Sequence, residues 1–458
     1  MLAISRLDLE TAGAACQTGC MVERDLTSRL KSVAASFPAV TLTGPRQSGK
    51  TTLCRALFPR HAYVSLEAPD TRAFARDDPR AFLAQYAHGA IIDEVQRCPD
   101  LPSYLQELID ANPVPGRWIL TGSQNLSLLS SVSQSLAGRT AVLHLLPLSR
   151  NEVTQFEHHP RTLDDTLFTG GYPRILDQRL APADWLSAYV GSYIERDVRN
   201  VSNVGDLAIF QRFVSLCAGR TAQLLNLSAL AADCGIAQPT AKAWMSLLEI
   251  AFIAFRLPAY SGNLRKRLVR MPKLHFYDTG LVCWLLGIRT PGQLRTHPLR
   301  GAIFETWVAS EILKHRTHRG ESRGLFHYRD RQGAEVDMLV ENSDGLTLVE
   351  AKAGATPSGD MLDAVQHVSA TLGVTHPSRG LAVYGGTMRQ SRGNMALIPW
   401  SGIQAEKWME VRGDGPYVDR DGHAPESPPA AVHEKRAIYR TKRPVARRGM
   451  GANERRRA

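Results

Sequence analysis

Residues 40–52 read Val40-Thr41-Leu42-Thr43-Gly44-Pro45-Arg46-Gln47-Ser48-Gly49-Lys50-Thr51-Thr52, and this segment indicates the fold of the first part of the chain. An apolar strand pattern runs into G-x-x-x-x-G-K-T, and a helical pattern follows it. Gly44 and Gly49 let the backbone turn so that successive N–H groups cradle phosphate oxygens, next to the positive end of the helix. Lys50 is predicted to reach the β- and γ-phosphates, and the Thr51 hydroxyl to ligate Mg²⁺. The pattern therefore predicts a phosphate-binding loop for a nucleoside triphosphate.

An acidic pair follows a second apolar strand pattern further along the chain. Ala90–Ile92 is apolar, and Asp93 and Glu94 come directly after it. Asp93 is predicted to join the Mg²⁺ shell, and Glu94 to polarise the attacking water. An Asp-Glu pair at a strand end is otherwise often a helix cap. Because this pair follows a phosphate loop, hydrolysis as well as binding is predicted.

Polar residues at the end of a third strand pattern, Trp118–Thr121, are candidates for sensing the γ-phosphate. Ser123, Gln124 and Asn125 follow that strand, and the sequence does not choose between them. Arg139 has two interpretations. It either supplies positive charge to a nucleotide, in its own chain or in a neighbouring subunit, or it is a surface arginine after a helix-ending glycine.

Strand and helix patterns alternate from residue 39 to about residue 150, which predicts a parallel sheet covered on both faces. The fold class is therefore α/β, with a P-loop NTPase domain at residues 21–155. Residues 1–20 carry no clear periodicity, so a start at Met21 is an alternative to Met1. The predicted strands are Ala39–Thr43, Ala62–Leu66, Ala90–Ile92, Trp118–Thr121 and Ala141–Leu145.

Residues 156–295 are mainly helical and predict a winged helix-turn-helix domain. Two short helical patterns joined by a glycine turn precede two strand patterns that resemble a wing. The wing is basic, which favours contact with the phosphates of duplex DNA. The alternative is an internal domain contact or a lid that faces the nucleotide. The helices are predicted over 226–232 and 240–248, and the strands over Phe252–Leu257 and Leu274–Tyr277. The cations of the wing are Arg265, Lys266, Arg267, Arg270 and Lys273.

Carboxylates and a lysine come together on a β-hairpin predicted after the middle domain. Alternate residues of a strand share a face, so Asp337 lies with Glu335, and Glu350 lies with Lys352. Glu305 shares the apolar, inward face of a preceding helix and is predicted to join them. Such a set can hold Mg²⁺ and stabilise hydroxide attack on a phosphodiester, which predicts a nuclease-type architecture. The alternatives are solvated strand faces with ordinary salt bridges, and a nuclease fold without nuclease activity.

The basic charge of the chain is concentrated at its C-terminal end. The formal net charge is +11, and residues 431–458, with ten Lys and Arg against two Glu, contribute +8 of it. The folded part, which ends with a predicted domain at residues 296–405, is therefore close to neutral. Residues 406–458 are interpreted either as a solvated, disordered tail or as a tail that holds nucleic-acid phosphates without reading sequence.

The composition excludes several protein classes. With 43% apolar and 22% charged residues, a wholly disordered or fibrous chain is excluded. No apolar run approaches the ~18 residues that span a bilayer, and no signal peptide pattern is present, so a cytoplasmic protein is expected. Seven scattered cysteines without a C-x-x-C pair predict reduced thiols rather than disulfides or a zinc site.

These motifs together resemble the uncharacterised prokaryotic ATP-binding proteins in which an AAA-type P-loop domain precedes a domain of unknown function. The resemblance covers residues 22–399. It implies ATP as the ligand, a winged-helix middle domain and a restriction-endonuclease-like C-terminal fold. Ala351 replaces the valine of the family's Glu-Val-Lys motif, a small change on the opposite strand face. Further matching motifs are Gly170-Gly171-Tyr172-Pro173, Tyr193-Ile194-Glu195-Arg196-Asp197, Tyr277-Asp278-Thr279-Gly280-Leu281 and Glu350-Ala351-Lys352.

Three hypotheses about function follow. The first is a Mg²⁺-dependent ATPase whose nucleotide state acts on the later domains, with DNA as a further partner. The second is a nucleotide-gated regulatory or binding protein with little turnover. The third is a metal-dependent nuclease. The sequence does not decide whether subunits assemble.

Overall fold

The computed structural model describes residues 22–123, 135–194, 207–260, 271–330, 332–343, 345–372 and 378–409. Several residues with a predicted role lie outside these ranges. They are Gln124, Asn125, Arg265, Lys266, Arg267, Arg270, residues 1–20 and the basic tail beyond residue 409.

The first sheet is five-stranded and parallel, as predicted for a P-loop NTPase, and its strand ends differ from the predicted ones by at most one residue. The strand order β2-β3-β4-β1-β5 places β4 between β1 and β3. The carboxyl ends of these three strands, which precede the phosphate loop, the acidic pair and Ser123, therefore adjoin. The elements are α1 (Thr27–Ala34), β1 (Ala39–Thr43), α2 (Lys50–Leu57), β2 (Ala62–Ser65), α3 (Pro69–Asp77), α4 (Pro79–Ala84), β3 (Ala90–Asp93), α5 (Leu101–Ala111), β4 (Trp118–Thr121) and β5 (Thr140–His144).

The apolar side chains of these strands build a core on each face of the sheet. Ile91 and Ile119 belong to one buried cluster, whereas Ile92 and Leu120 belong to another. Successive side chains of a strand point to opposite faces, so the continuous apolar runs seen in the sequence are those of strands covered on both sides.

The middle part of the chain is helical and carries a small antiparallel sheet. The two predicted helices are present, and the Asn226 side chain caps the first of them by accepting from Ala229 N–H. The sheet has three strands rather than the predicted two, because the two-residue β6, too short to show alternation, pairs with β8. The elements are α6 (Arg150–Val153), α7 (Leu163–Thr169), α8 (Pro173–Asp177), α9 (Pro182–Tyr189), α10 (Leu207–Ala218), β6 (Gln223–Leu224), α11 (Leu227–Cys234), α12 (Gln238–Ile250), β7 (Ala254–Leu257) and β8 (Lys273–Phe276).

The last part contains a mixed six-stranded sheet in the order β13-β14-β12-β11-β10-β9. The predicted hairpin is present as the antiparallel pair β10–β11, in which Met338 is opposite Val349. The elements are α13 (Thr279–Leu285), α14 (Pro291–Thr296), α15 (Arg300–His318), β9 (Leu325–Arg329), β10 (Glu335–Asn342), β11 (Gly345–Lys352), α16 (Asp363–Leu372), β12 (Ser378–Tyr384), β13 (Gln390–Arg392) and β14 (Met395–Pro399).

One hydrophobic cluster extends from Leu163 to Trp408, so the helical part and the six-stranded sheet share a core. Helix α15 contributes Phe304, Val308 and Ile312 to that core. The helix ends at His318, and the polar residues of its last turn are buried as well. In the described part of the chain, none of the helices combines the length and the apolar character that crossing a membrane requires.

Candidate functional site

The phosphate loop has the backbone conformation that its glycines predict. Gly44 and Gly49 have φ angles of +145° and +90°. A Cβ atom on Gly44 would lie 2.2 Å from the backbone oxygen of Leu145, so a side chain at position 44 would displace the loop from the end of β5. Gln47 also has a positive φ, of 63°. The loop leads directly into α2, whose first residue is Lys50.

The Lys50 ammonium is buried inside the loop. Its Nζ atom donates to the backbone oxygens of Gly44, at 3.0 Å, and of Pro45, at 2.8 Å. Burial lowers the pKa of Lys50 to about 8, against the attraction of Glu94 and Asp93. A phosphate oxygen arriving in the loop would offer this ammonium a charged partner in place of two carbonyl groups.

Asp93 lies at the centre of the strand ends and is held by neighbours on three elements. Its Oδ2 atom accepts from the hydroxyls of Thr51 and Tyr63, at 2.9 Å each. Its Oδ1 atom accepts from the Thr121 hydroxyl. Hydroxyl and carboxylate oxygens are the ligand types that Mg²⁺ prefers, so the Thr51–Asp93 pair fits the ion that the sequence predicts there.

Glu94 follows Asp93 in the left-handed backbone region, with φ of 56°. This conformation is strained for a glutamate, and it turns the chain after β3. The Glu94 carboxylate accepts from Gln96 Nε2, and the Ser123 hydroxyl lies 3.5 Å from its Oε2 atom. Ser123 is therefore the candidate sensor that the described structure brings to Glu94. Gln96 was not predicted to have a role there.

Around these residues lies a cleft of about 730 Å³, within the size range of ligand pockets. Phosphate-loop residues, Glu94 and Ser123 line one side of it. Further lining residues come from the segment before α1 and from the helical part of the chain, and only Pro173 among them belongs to a motif quoted above. Those additional lining residues include Val22, Arg24, Phe156, Pro173 and Arg174.

Arg24 lines this cleft as well, although no role was predicted for it from the sequence. Its guanidinium donates to the backbone oxygens of Ser48, at 2.6 Å, and Leu146, at 2.8 Å. It also pairs with the buried Glu152 carboxylate, Nε to Oε1, at 2.9 Å. A single arginine before an amphipathic helix gives no sequence signal for such a role, because its partners are distant in the chain.

Arg139 lies at the opposite end of the first sheet. Its backbone oxygen accepts from Ala39 N–H at the start of β1, and its side chain pairs with Asp110, Nη2 to Oδ2, at 2.8 Å. Since the phosphate loop follows the other end of β1, Arg139 does not reach the nucleotide cleft of its own chain. Its interpretation as a surface arginine fits this position.

The predicted carboxylate cluster assembles, but it surrounds a lysine. Lys273 Nζ lies 2.8 Å from Glu305 Oε1, 2.7 Å from Glu335 Oε1 and 3.3 Å from Asp337 Oδ1. The interpretation of Lys273 as a wing cation that contacts DNA phosphates is therefore wrong, because its side chain is 3% exposed and is neutralised inside the protein. We call Lys273, Glu305, Glu335 and Asp337 the lysine-centred cluster.

Glu350 and Lys352 lie beside this cluster on β11. They pair with each other, Nζ to Oε1, at 2.8 Å, as their shared strand face predicts. The second oxygen of Asp337 accepts from Ala351 N–H at 3.0 Å. Burial and the neighbouring Asp337 charge raise the pKa of Glu350 to about 7, and the same two causes raise the pKa of Glu305 to about 8.

Three protein-family models match successive parts of the chain. Residues 36–154 match a family described as AAA domain. Residues 160–292 and 300–403 match two families described as domains of unknown function, DUF8612 and DUF4143. The first match agrees with the P-loop and the parallel sheet, so the chain has an AAA-type P-loop ATPase domain.

The relatives have no described activity. Uncharacterised proteins of Mycobacterium bovis and Mycobacterium tuberculosis are each 31% identical over 354 residues, which is 76% of this chain and 78% of theirs. Among solved structures, a Walker-type ATPase of Pyrococcus abyssi is 13% identical, with a TM-score of 0.40 over 58% of this chain and 96% of that chain. A TM-score this low carries no functional argument.

Proposed function

We propose that this chain is a Mg²⁺-dependent ATPase. It belongs to the family of uncharacterised proteins in which an AAA-type P-loop domain precedes domains of unknown function. The single observation that carries the proposal is that Lys50, Thr51 and Glu94 line one cleft, with Asp93 accepting a hydrogen bond from the Thr51 hydroxyl. A phosphate loop alone binds a nucleotide; a carboxylate free to act on water makes hydrolysis possible.

Each residue of the cleft has a separate task in the proposed reaction. The loop amides and Lys50 bind the β- and γ-phosphates, and Lys50 stabilises the charge that develops on them. Thr51 and Asp93 would hold Mg²⁺, which supplies further charge neutralisation when bound. Glu94 orients a water and takes its proton, while Ser123 and Gln96 hold the Glu94 carboxylate near the cleft.

Two substitutions separate this proposal from a nucleotide-gated binding protein with little turnover. Lys50→Ala should lose most ATP affinity in calorimetry. Glu94→Gln should keep the ATP affinity and lose phosphate release by about 10²- to 10⁴-fold, the usual range for a general base. Glu107→Gln, an exposed carboxylate paired with Arg80, is the matched control. Unchanged ATP affinity in Lys50→Ala would refute the proposal, and unchanged phosphate release in Glu94→Gln would favour the binding protein.

We further propose that α15 couples the nucleotide cleft to the C-terminal sheet. Its C-terminal half contacts the segment that follows β5. Lys314 Nζ donates to the Leu148 oxygen at 3.0 Å, and His318 Nε2 accepts from Leu146 N–H at 3.2 Å. Its N-terminal half carries Glu305 of the lysine-centred cluster. Because Leu146 also accepts from Arg24, which holds the phosphate loop at Ser48, a change in the loop can reach the helix through a contiguous set of contacts.

DNA remains the proposed partner of the later domains. The proposal depends on the basic residues of the predicted wing and of the tail, which lie outside the described residues. ATP hydrolysis measured with and without duplex DNA tests it, at two salt concentrations because phosphate contacts weaken with salt. Stimulation that disappears at high salt is expected, and an equal rate in all four conditions would count against DNA.

A nuclease is the second candidate function, because Glu305, Glu335 and Asp337 meet in one cluster, and it requires that Lys273 leave the cluster when a metal ion binds. Incubation of DNA with Mg²⁺ or Mn²⁺ tests this candidate with the wild type and Asp337→Ala. Cleavage by the wild type alone would support it, whereas equal cleavage by both proteins, or none, would end it.

A further inference from the structure

Lys273 is buried where three carboxylates from two other elements converge. It begins β8 of the three-stranded sheet, whereas Glu305 comes from α15, and Glu335 and Asp337 come from β10 of the six-stranded sheet. All three N–O distances are 3.3 Å or less. The lysine therefore joins two sheets at a point that is largely removed from water.

The energetics favour a permanently charged lysine at this position. Burial alone would lower the pKa of Lys273, but the attraction of Asp337 and Glu305 outweighs it and raises the pKa above its usual value. An ammonium taken out of water costs several kcal/mol unless good partners surround it, and here three carboxylates do. The cluster thus contains a positive charge supplied by the chain itself.

A divalent cation does not fit the cluster in this arrangement. Carboxylate oxygens are suitable ligands for Mg²⁺ or Mn²⁺, but one oxygen each of Glu305, Glu335 and Asp337 is directed at the ammonium. The other Asp337 oxygen accepts from Ala351 N–H. A metal ion between these oxygens would meet the positive charge of Lys273 at close range, where the low dielectric makes repulsion strong.

A second observation, the buried carboxylate of Glu350, also favours a cation at this position. Glu350 is 6% exposed, and within the described part of the chain its Oε2 atom is buried without a hydrogen-bond partner. Glu350 lies directly across the hairpin from Asp337, since Met338 faces Val349 in the antiparallel register. A buried carboxylate oxygen without a donor is costly, and a nearby cation would relieve that cost.

We propose that Lys273 is an internal cation that occupies the carboxylate cluster in place of a divalent metal, so that the cluster binds Mg²⁺ or Mn²⁺ only when this ammonium is withdrawn. The lysine then has two roles. It ties β8 to the six-stranded sheet, and it closes a site for an oxygen-preferring divalent cation. The proposal does not depend on ATP hydrolysis, because none of the four residues lines the nucleotide cleft.

The test counts Mn²⁺ ions bound to the nucleotide-free full chain, by electron paramagnetic resonance of the free ion. Lys273→Met removes the charge and keeps an apolar side chain of similar length. It should bind one Mn²⁺ more per chain than the wild type, and Lys273→Met/Asp337→Asn should lose that extra ion. Lys242→Met, at an exposed position of α12, is the matched control and should bind as the wild type does.

Removing Lys273 leaves three carboxylates facing one another, so a second variant protects the test against misfolding. Lys273→Met/Glu335→Gln removes one charge of each sign and leaves Glu305 and Asp337 as ligands. It should also gain the extra Mn²⁺, with a melting temperature that rises on adding the ion. The proposal is overturned if the wild type already binds an ion that Asp337→Asn abolishes, or if neither lysine variant gains one.

Discussion

At the scale of single residues, Arg24 connects the phosphate loop to two other parts of the chain, although it belongs to no sequence motif. Its three contacts reach the loop at Ser48, the segment after β5 at Leu146, and the carboxylate of Glu152. Glu152 is fully buried and also accepts from the backbone N–H groups of Asp25 and Ser149. The arginine is therefore the cation that balances this buried carboxylate as well as a support of the nucleotide cleft.

We expect Arg24→Met to lower the free energy of unfolding by about 3–5 kcal/mol, because removing one partner leaves a buried charge uncompensated. ATP affinity should fall too, since the Ser48 carbonyl loses its donor and the loop its support. Denaturant unfolding and calorimetry measure the two effects. Arg60→Met, at an exposed position, should change neither. A stability equal to the wild type would show that Arg24 is not the main partner of Glu152.

At the scale of elements, α15 is held against the segment that follows β5. The Glu311 carboxylate accepts from Arg150 N–H, at 2.8 Å, and from Lys314 Nζ, at 2.9 Å. At the C-terminal end of the helix, His318 is fully buried and accepts from Leu146 N–H. Burial lowers the pKa of His318 to about 3, and the positive charges of Arg24, Lys314 and Arg319 act in the same direction, against Asp25.

This histidine makes stability depend on pH with a defined sign. The unfolded pKa of histidine is about 6.5 and the folded one is lower, so the stabilisation is complete above pH 6.5 and is lost as pH falls toward 3. The His318 contribution should be about 2 kcal/mol smaller at pH 5 than at pH 7. His318→Gln, which keeps an acceptor for Leu146 N–H, should flatten the curve measured by denaturant unfolding. An unchanged slope would exclude His318 as its source.

At the scale of the whole molecule, the described residues belong to one compact unit. Most of the formal charge lies near the C-terminal end of the sequence, since residues 431–458 carry +8 of the +11. Binding through phosphate contacts releases counterions in proportion to the charges involved. We therefore expect changes in the tail to alter DNA affinity, and changes in the nucleotide cleft to alter ATP hydrolysis.

A chain that ends at Glu410 should hydrolyse ATP at the wild-type rate in the absence of DNA. Its affinity for duplex DNA should fall, and the slope of log Kd against log salt should become shallower. Fluorescence anisotropy at several salt concentrations measures both. A full-length chain with the tail lysines and arginines changed to glutamine separates charge from length. DNA binding that does not change in either variant would exclude the tail.

The local parts of the fold and of the cleft were predictable from the sequence. The strands of the first sheet were predicted from apolar runs between helical patterns, because such runs are typical of strands buried on both faces, and the structure confirms them. Thr51 and Asp93 were predicted to share the Mg²⁺ shell and Glu94 to act on the attacking water, because an acidic pair at the end of an apolar strand follows a phosphate loop in the sequence. The β10–β11 hairpin that brings Asp337 near Glu350 was predicted, because alternating apolar residues on both sides of a short turn are typical of a hairpin.

The strands of the first sheet, the two helices before the wing, the hairpin and the phosphate loop could be predicted from the sequence alone, because those features depend on neighbouring residues and on a spacing of a few positions. Three roles became visible only in the tertiary structure. Lys273 lies in a carboxylate cluster and does not contact DNA, and Arg24 supports the phosphate loop. Arg139 lies at the end of the first sheet opposite to the nucleotide cleft of its own chain. The physical reason is distance along the chain. A charged side chain takes its role from the partners that packing brings to it, and a linear pattern does not record them.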